Sequence, residues 1–322
     1  MEHQVRSSCS HSGWLGFLVI ASVACGTAAT TREASADSNG SSQQAPQGRV
    51  SGDLRLHELP SRVFGNTRML RVLVPDEYDR PENSARRYPV LYLNDGQNLF
   101  DSTTSVLNPM EWRVDETVLA LTAAGRIPPL IVVGIDNAGR RGRFKEYFPY
   151  FDEYLSPPEP DPQGKRYPDF LVDEVLPFVE ARYRVLREPG SRGLGGSSAG
   201  ALAAMYAVVA RPGVFGRLLI ESPSIYVDNS RILQDAASVE TWPERIYLGA
   251  GTNEGGRRNC DPNSTLEPEL VRDVRLFERL LQRAGVDSRR ISVVVTPCAV
   301  HNESAWAARL PDALTFLFGG ND

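Results

Sequence analysis

Histidine is scarce in this chain: there are 4 among 322 residues, and cysteine and methionine are equally rare at 4 each. Ligands this few, and nowhere clustered, leave no recognisable metal centre. No glycine-rich nucleotide loop is present either, so no metal or cofactor is expected. Neither charge dominates, with 35 Lys and Arg against 40 Asp and Glu for a net −5. Without a global basic field, nucleic acid is not an expected partner. The apolar run Trp14 to Ala24 (WLGFLVIASVA) falls short of the roughly 20 residues that span a bilayer. Internal repeats are lacking, as is a second Pro/Gly/Ser-rich break that would divide the chain. What remains is an ordinary globular composition, 41% hydrophobic and 23% charged, long enough for one large core.

The N-terminus has its own character. Arg6 precedes the apolar run, which ends in small residues, so residues 1–24 read as an export signal. Ser22-Val23-Ala24-Cys25 resembles a bacterial lipobox, with Ser22 where such boxes usually carry Leu. Lipidation of Cys25, which would attach the protein to a membrane, and simple cleavage after Ala24 or Ala29 both stay open. The expected location is outside the cytoplasm, periplasmic or membrane-anchored rather than secreted. Residues 25–48, dominated by Ala, Thr, Ser, Gly and Gln, cannot repay their ordering entropy and read as a flexible linker. Residues 49–322 then form the catalytic domain.

Within that domain short apolar runs alternate with segments of helical period, the pattern of an α/β fold with a mostly parallel sheet between helices. The strands expected are Met69–Val74, Val90–Leu93, Leu130–Ile135, Gly193–Gly196, Leu218–Glu221, Ile246–Leu248 and Ile291–Val295. Arg49–Leu59 reads as an added strand, antiparallel at one edge. Helices are expected over Trp112–Ala124, Phe170–Tyr183 and Leu266–Ala284, and a buried one over Ala199–Ala210.

In such a sheet, catalytic groups gather at the carboxyl ends of the strands. Gly196-Ser197-Ser198-Ala199-Gly200 is a G-x-S-x-G motif between a short strand and an Ala-rich helix. The bare pattern is loose, but this context is the one a nucleophile elbow requires. Ser198 is the candidate nucleophile; its bland alternative is a helix cap in a Gly-rich turn. Ser197 reads as a packing or backbone-bonding residue.

A serine needs a base, and elimination finds it. His3 and His11 lie in the signal, and His57 precedes the first confident strand. His301 follows the strand Ile291–Val295 and precedes a helix, which completes the chain order Ser, acid, His of an α/β-hydrolase fold. The acid belongs on the loop after Leu248. Glu254 is the better placed candidate and Asp261 the alternative, with pairing of Glu254 to Arg257 or Arg258 as the bland reading. The loop Asn94–Asn98 is placed to give one backbone N–H of an oxyanion hole and Ala199 the other, unless Asp95-Gly96 is a plain turn.

Several blocks in order carry a family resemblance: Tyr88–Asp101 (YPVLYLNDGQNLFD), Ile131–Asn137 (IVVGIDN), Gly195–Gly200 (GGSSAG), Gly251–Glu254 (GTNE) and His301–Trp306 (HNESAW). Over about residues 60–318 the chain resembles the putative-esterase family of α/β-hydrolases. That family groups ferric enterobactin esterases, feruloyl and acetyl-xylan esterases, the esterase D type and mycolyltransferases. The resemblance implies Ser198 as nucleophile, Glu254 as acid, His301 as base, and the N–H groups of Gln97 and Ala199 as the oxyanion hole. Asp95, Arg143 and Trp306 become substrate-binding candidates, and Glu146 matches a block beside the site. Ala199 is smaller than the Met or Leu the family often has after its nucleophile.

The implied activity is hydrolysis of a small-molecule or carbohydrate ester through an acyl-enzyme. A siderophore trilactone esterase, an acyltransferase and a non-catalytic ligand-binding module of the same fold are the alternatives. Arg140, Arg141 and Arg143, with Arg257 and Arg258, read as loop residues that either border a pocket for an anionic substrate or face water. Cys260 and Cys298 flank Glu254 and His301, whose loops must meet. In an oxidising compartment the two thiols are expected to form a disulfide.

Overall fold

The computed structural model describes residues 50–105, 109–153, 155–264 and 266–320. The expected export signal, linker and Cys25 lie outside the described residues. Eight strands form a single sheet in the order β1-β2-β4-β3-β5-β6-β7-β8. β1 (Asp53–Ser61) and β2 (Asn66–Val74) are a hairpin at one edge, and β2 also runs antiparallel to β4 (Ile131–Ile135). From β4 onward every pairing is parallel, through β3 (Val90–Asn94), β5 (Arg192–Ser197), β6 (Arg217–Glu221), β7 (Arg245–Gly251) and β8 (Ile291–Thr296). This is the α/β-hydrolase architecture expected, including the antiparallel edge strand.

Two cores lie on the two faces, and strand alternation sorts residues between them. Val90 and Tyr92 of β3, Leu218 and Ile220 of β6, and Ile246 and Leu248 of β7 point into one core. It also receives α5 (Ser198–Ala210), α6 (Val227–Ala236) and α7 (Glu269–Arg283). Leu91, Leu93, Leu219 and Tyr247 point into the other, with α1 (Val114–Ala123) and α8 (Glu303–Phe318). On β5 the second face carries Gly193 and Gly195 before Ser197 at the strand's end. A Cβ on Gly193 would sit 2.9 Å from a Leu91 methyl and 3.1 Å from the Phe318 ring. Without a side chain on Gly193, the C-terminal end of α8 lies close against the sheet.

Three helical expectations change in detail. Arg140–Arg143 belong to a helix, α2 (Gly139–Tyr147), and not to a loop. The segment expected as one helix over Phe170–Tyr183 follows a short helix, α3 (Tyr167–Asp169), and consists of a π-wound stretch Phe170–Val175 and α4 (Leu176–Arg182). Pro177 has no N–H to return to the carbonyl four residues back, and the wider winding accommodates that gap. α7 begins at Glu269, after Pro268, three residues later than the amphipathic pattern suggested.

Candidate active site

The nucleophile turn is built from its glycines. A Cβ on Gly196 would lie 2.9 Å from the Gly200 carbonyl carbon, so strand end and helix start cross this closely only because Gly196 lacks a side chain, while a Cβ on Gly200 would lie 2.9 Å from the Asp95 carboxylate on the loop after β3. That crossing forces Ser198 into the left-handed region at φ 56, a strained conformation typical of functional turns. Ser198 is half-buried and opens α5, whose first N–H groups, Ala199 included, have no intrahelical partner.

The sheet register brings the other groups alongside. Ser197 is level with Glu221, Glu221 with Gly249, and Gly251 with Thr296, so the loops after β5, β6, β7 and β8 leave side by side. Glu254 Oε2 lies 2.7 Å from His301 Nδ1. Its Oε1 accepts from the Gly251 N–H at 2.6 Å and the Ser222 hydroxyl at 2.7 Å. Burial alone would raise this carboxyl, but the bond and charge of His301, then Gly251 and Ser222, hold it below its ordinary value. Asp261 instead accepts locally from the Asn263 N–H at 2.9 Å on an exposed turn. Of the two carboxylates considered from the sequence, Glu254 is the one beside His301, and its partners there are not Arg257 or Arg258. His57 sits in β1 at the far edge, bonded to the Tyr183 hydroxyl at 2.6 Å.

The carboxylate can only accept, so Nδ1 is the nitrogen that donates, and in the neutral imidazole Nε2 is then the one with a free lone pair. The imidazole is packed edge-on against Trp306, with ring centroids 5.2 Å apart at 84°. Trp306 itself is 5% exposed and donates from its indole N–H to the Ser222 oxygen at 3.0 Å. It supports His301 and is not an open substrate surface.

The loop after β3 turns through Asp95 in the left-handed region and a 3₁₀ turn, Gly96–Asn98. Gly96 lies so close to β4 that a Cβ would be 2.6 Å from the Gly134 carbonyl carbon. The Asp95 carboxylate takes both Arg143 Nε and Nη2, at 2.8 and 2.7 Å, and the Asn137 amide at 2.6 Å. Arg143, expected to meet substrate, is committed to this pair, and Glu146 pairs with buried Arg68. The Asn137 N–H reaches the Gln97 side-chain oxygen at 3.1 Å, fixing the residue expected to give an oxyanion donor. Asn94 closes the arrangement: its amide donates to the Gly200 carbonyl at 2.7 Å and accepts from the Tyr167 hydroxyl at 2.5 Å. One side chain thereby ties the two halves of the candidate hole.

Cys260 and Cys298 are joined in a disulfide with Cα atoms 5.7 Å apart. Around it the Cys298 N–H donates to Thr252 Oγ1 at 2.8 Å and the Asn253 N–H to the Ala299 carbonyl at 3.0 Å. The loops bearing Glu254 and His301 are therefore stitched together. Ser222, Asn94 and Asn137 were not singled out from sequence; only their places at strand ends hinted at a role.

The model of the family described as "Putative esterase" matches residues 61–317. The chain belongs to that family. As a member it is a carboxylic-ester hydrolase. An uncharacterized Bacillus subtilis protein, YbbA, is 23% identical over 84% of this esterase and 98% of its own length. The siderophore enterobactin esterase of Emericella nidulans is 31% identical over 48% of this chain and 52% of its own. Among solved structures, an IroE-like serine hydrolase from Shewanella oneidensis superposes with a TM-score of 0.61 at 21% identity, covering 83% of this chain and 80% of that one. At that identity the likeness concerns the fold.

Proposed function

We propose that this esterase works through an acyl-enzyme on Ser198. His301 Nε2 takes the hydroxyl proton as Ser198 Oγ attacks the ester carbonyl, and Glu254 stabilises the imidazolium that forms. The developing oxyanion is held by the Gln97 and Ala199 N–H groups. Collapse releases the alcohol, which leaves with the proton from His301. Water, deprotonated by the same nitrogen, then attacks the acyl carbon; the acyl–Oγ bond breaks, Ser198 Oγ takes the proton back from His301, and the carboxylic acid leaves. The observation that carries this reading is the Glu254–His301 bond through Nδ1, which leaves Nε2 as the base at the edge where Ser198 sits strained.

A fluorophosphonate should label the protein stoichiometrically, and Ser198→Ala should abolish both labelling and hydrolysis of p-nitrophenyl acetate while preserving the fold. Labelling that survives the substitution refutes the assignment. Export through residues 1–24, with or without lipidation of Cys25, belongs to the same proposal. Mass analysis of the mature N-terminus after cell fractionation tests it: an intact residue 1 in the cytoplasmic fraction would rule export out.

A second reading, hydrolysis of a siderophore lactone, is favoured by the Emericella relative and by Arg140 and Arg141, exposed on the first turn of α2 just after Asn137. Guanidinium groups there suit an anionic, delocalised substrate. Comparing kcat/KM for a catecholate trilactone with that for neutral acetyl and feruloyl esters separates the two. Arg140→Ala/Arg141→Ala should impair only the trilactone if this reading holds.

A further inference from the structure

Ser222 is the first residue after β6, fully buried, with its backbone in the left-handed region at φ 43. Serine gains nothing intrinsically from that conformation, which glycine adopts without strain. Its main-chain N–H donates to the Gly249 carbonyl at 2.8 Å, fastening it to the strand whose end carries Glu254. Its oxygen lies 3.0 Å from the Trp306 indole nitrogen and 2.7 Å from Glu254 Oε1.

The donor inventory fixes the direction of both bonds. An indole N–H can only donate, so the Ser222 oxygen must accept from Trp306. A hydroxyl has one proton, and the ionised carboxylate can only accept, so the Ser222 proton points at Glu254. Trp306 also lies against the His301 ring. The four side chains thus close a circuit: Trp306 contacts the imidazole, donates to Ser222, Ser222 donates to Glu254, and Glu254 holds His301 Nδ1.

We infer that Ser222 and Trp306 are a positioning pair for the hydrolytic reaction, the indole setting the Ser222 hydroxyl so that it orients Glu254 toward His301. The inference rests on the acyl-enzyme reading and deepens it. Neither residue contacts the reacting atoms; both act through Glu254 and His301. The pair explains why a serine tolerates an unfavourable backbone conformation in a fully buried turn.

The test uses Ser222→Gly, which removes the hydroxyl while suiting the left-handed backbone, and Trp306→Phe, which keeps a ring beside His301 but removes the donor. Both, and their combination, are assayed for kcat and KM on p-nitrophenyl acetate, with melting temperature as a control. Ser222→Gly should lower kcat about 10- to 100-fold with KM within about twofold, the scale on which an orienting outer hydrogen bond acts. Trp306→Phe should cost less. The double variant should be no worse than Ser222→Gly alone, because the indole donor acts through a hydroxyl already gone.

A Ser222→Gly kcat equal to the parent's overturns the inference. So do single losses that multiply in the double variant. Ser198→Ala, run in parallel, separates the two levels. If it retains hydrolysis, the acyl-enzyme reading itself falls; if it is dead while Ser222→Gly is unimpaired, only the positioning pair falls.

Discussion

Replacing Glu254 by glutamine changes one charge and almost no volume, yet the hydrogen bonds around it imply a larger effect than deletion would produce. In the native site Oε1 receives two donors, the Gly251 N–H and the Ser222 hydroxyl, and Oε2 receives the His301 Nδ1 proton. A glutamine has one acceptor oxygen and one donor NH2 to place. Facing its NH2 toward Gly251 and Ser222 would set donor against donor in a mostly buried position, at about 1 to 3 kcal/mol for each unsatisfied group. The oxygen therefore takes the Oε1 place and the NH2 faces His301. Nδ1 must then accept, Nε2 carries the proton, and the imidazole cannot take one from Ser198. Trapping the wrong tautomer is worth about 10⁴-fold in kcat, or roughly 5.5 kcal/mol at 1.36 kcal/mol per decade. Glu254→Ala leaves the imidazole free to choose either tautomer, so its loss should be smaller, on the order of 10²-fold at the general-base scale. The assay is steady-state hydrolysis of p-nitrophenyl acetate, with KM near the parent value in both variants. Glutamine performing better than alanine would refute the tautomer argument, and neither substitution mattering would reduce the machinery to Ser198 and His301.

Four further outcomes can be checked. The Cys260–Cys298 bridge closes a segment of 38 residues, so Cys260→Ser/Cys298→Ser should cost up to about 4 kcal/mol by chain entropy in chemical denaturation, and mild reduction should lower kcat before helix content. Arg309 pairs in the core with Glu221, whose carboxyl burial pushes up to about 7 against the pull of the guanidinium; Arg309→Leu should destabilise by about 3 to 5 kcal/mol at pH 8 and less at pH 5.5, where Glu221 takes up a proton, as urea titrations at the two pH values would show. Glu254 lies below its ordinary value, so its stabilising contribution is complete above pH 4.5 and is lost as pH falls through the lower folded-state value; Glu254→Gln should flatten that part of the stability profile. A methyl on Gly200 would meet the Asp95 carboxylate at 2.9 Å and Asn94 Cβ at 3.1 Å, so Gly200→Ala should cost about 1 to 3 kcal/mol and lower kcat with it.

The sequence made legible whatever depends on chain order. Strand periodicity, the glycines around Ser198 and the place of His301 after an apolar run each follow from local pattern, and the sheet formed on those runs. The pairing of Arg143 with Asp95 could not be read in advance, because a run of arginines at a strand end gives no sign of which guanidinium faces inward. Here α2 turns one of them under the loop to Asp95. Ser222 was invisible for a related reason: Ser-Pro-Ser after a strand is ordinary turn chemistry. Only the register of β6 against β7 places its hydroxyl on Glu254.

The groups proposed to do chemistry come from four strand ends, at Ser198, Glu254, His301 and the loop through Gln97, and each alone is a local feature. Their mutual distances are set by residues that join one loop to the next: Asn94 to Gly200, Asn137 to Asp95 and Gln97, Ser222 to Glu254, and Cys260 to Cys298. Each bridge connects segments distant in sequence, and most are short, directional hydrogen bonds in a buried setting, where an unpaired group is costly. Ser198 at φ 56 needs such bracing, because its turn would otherwise relax. The strain and the bridges are therefore parts of one arrangement. Loosening any bridge should degrade kcat before it degrades folding, since the sheet and its two cores stand without them.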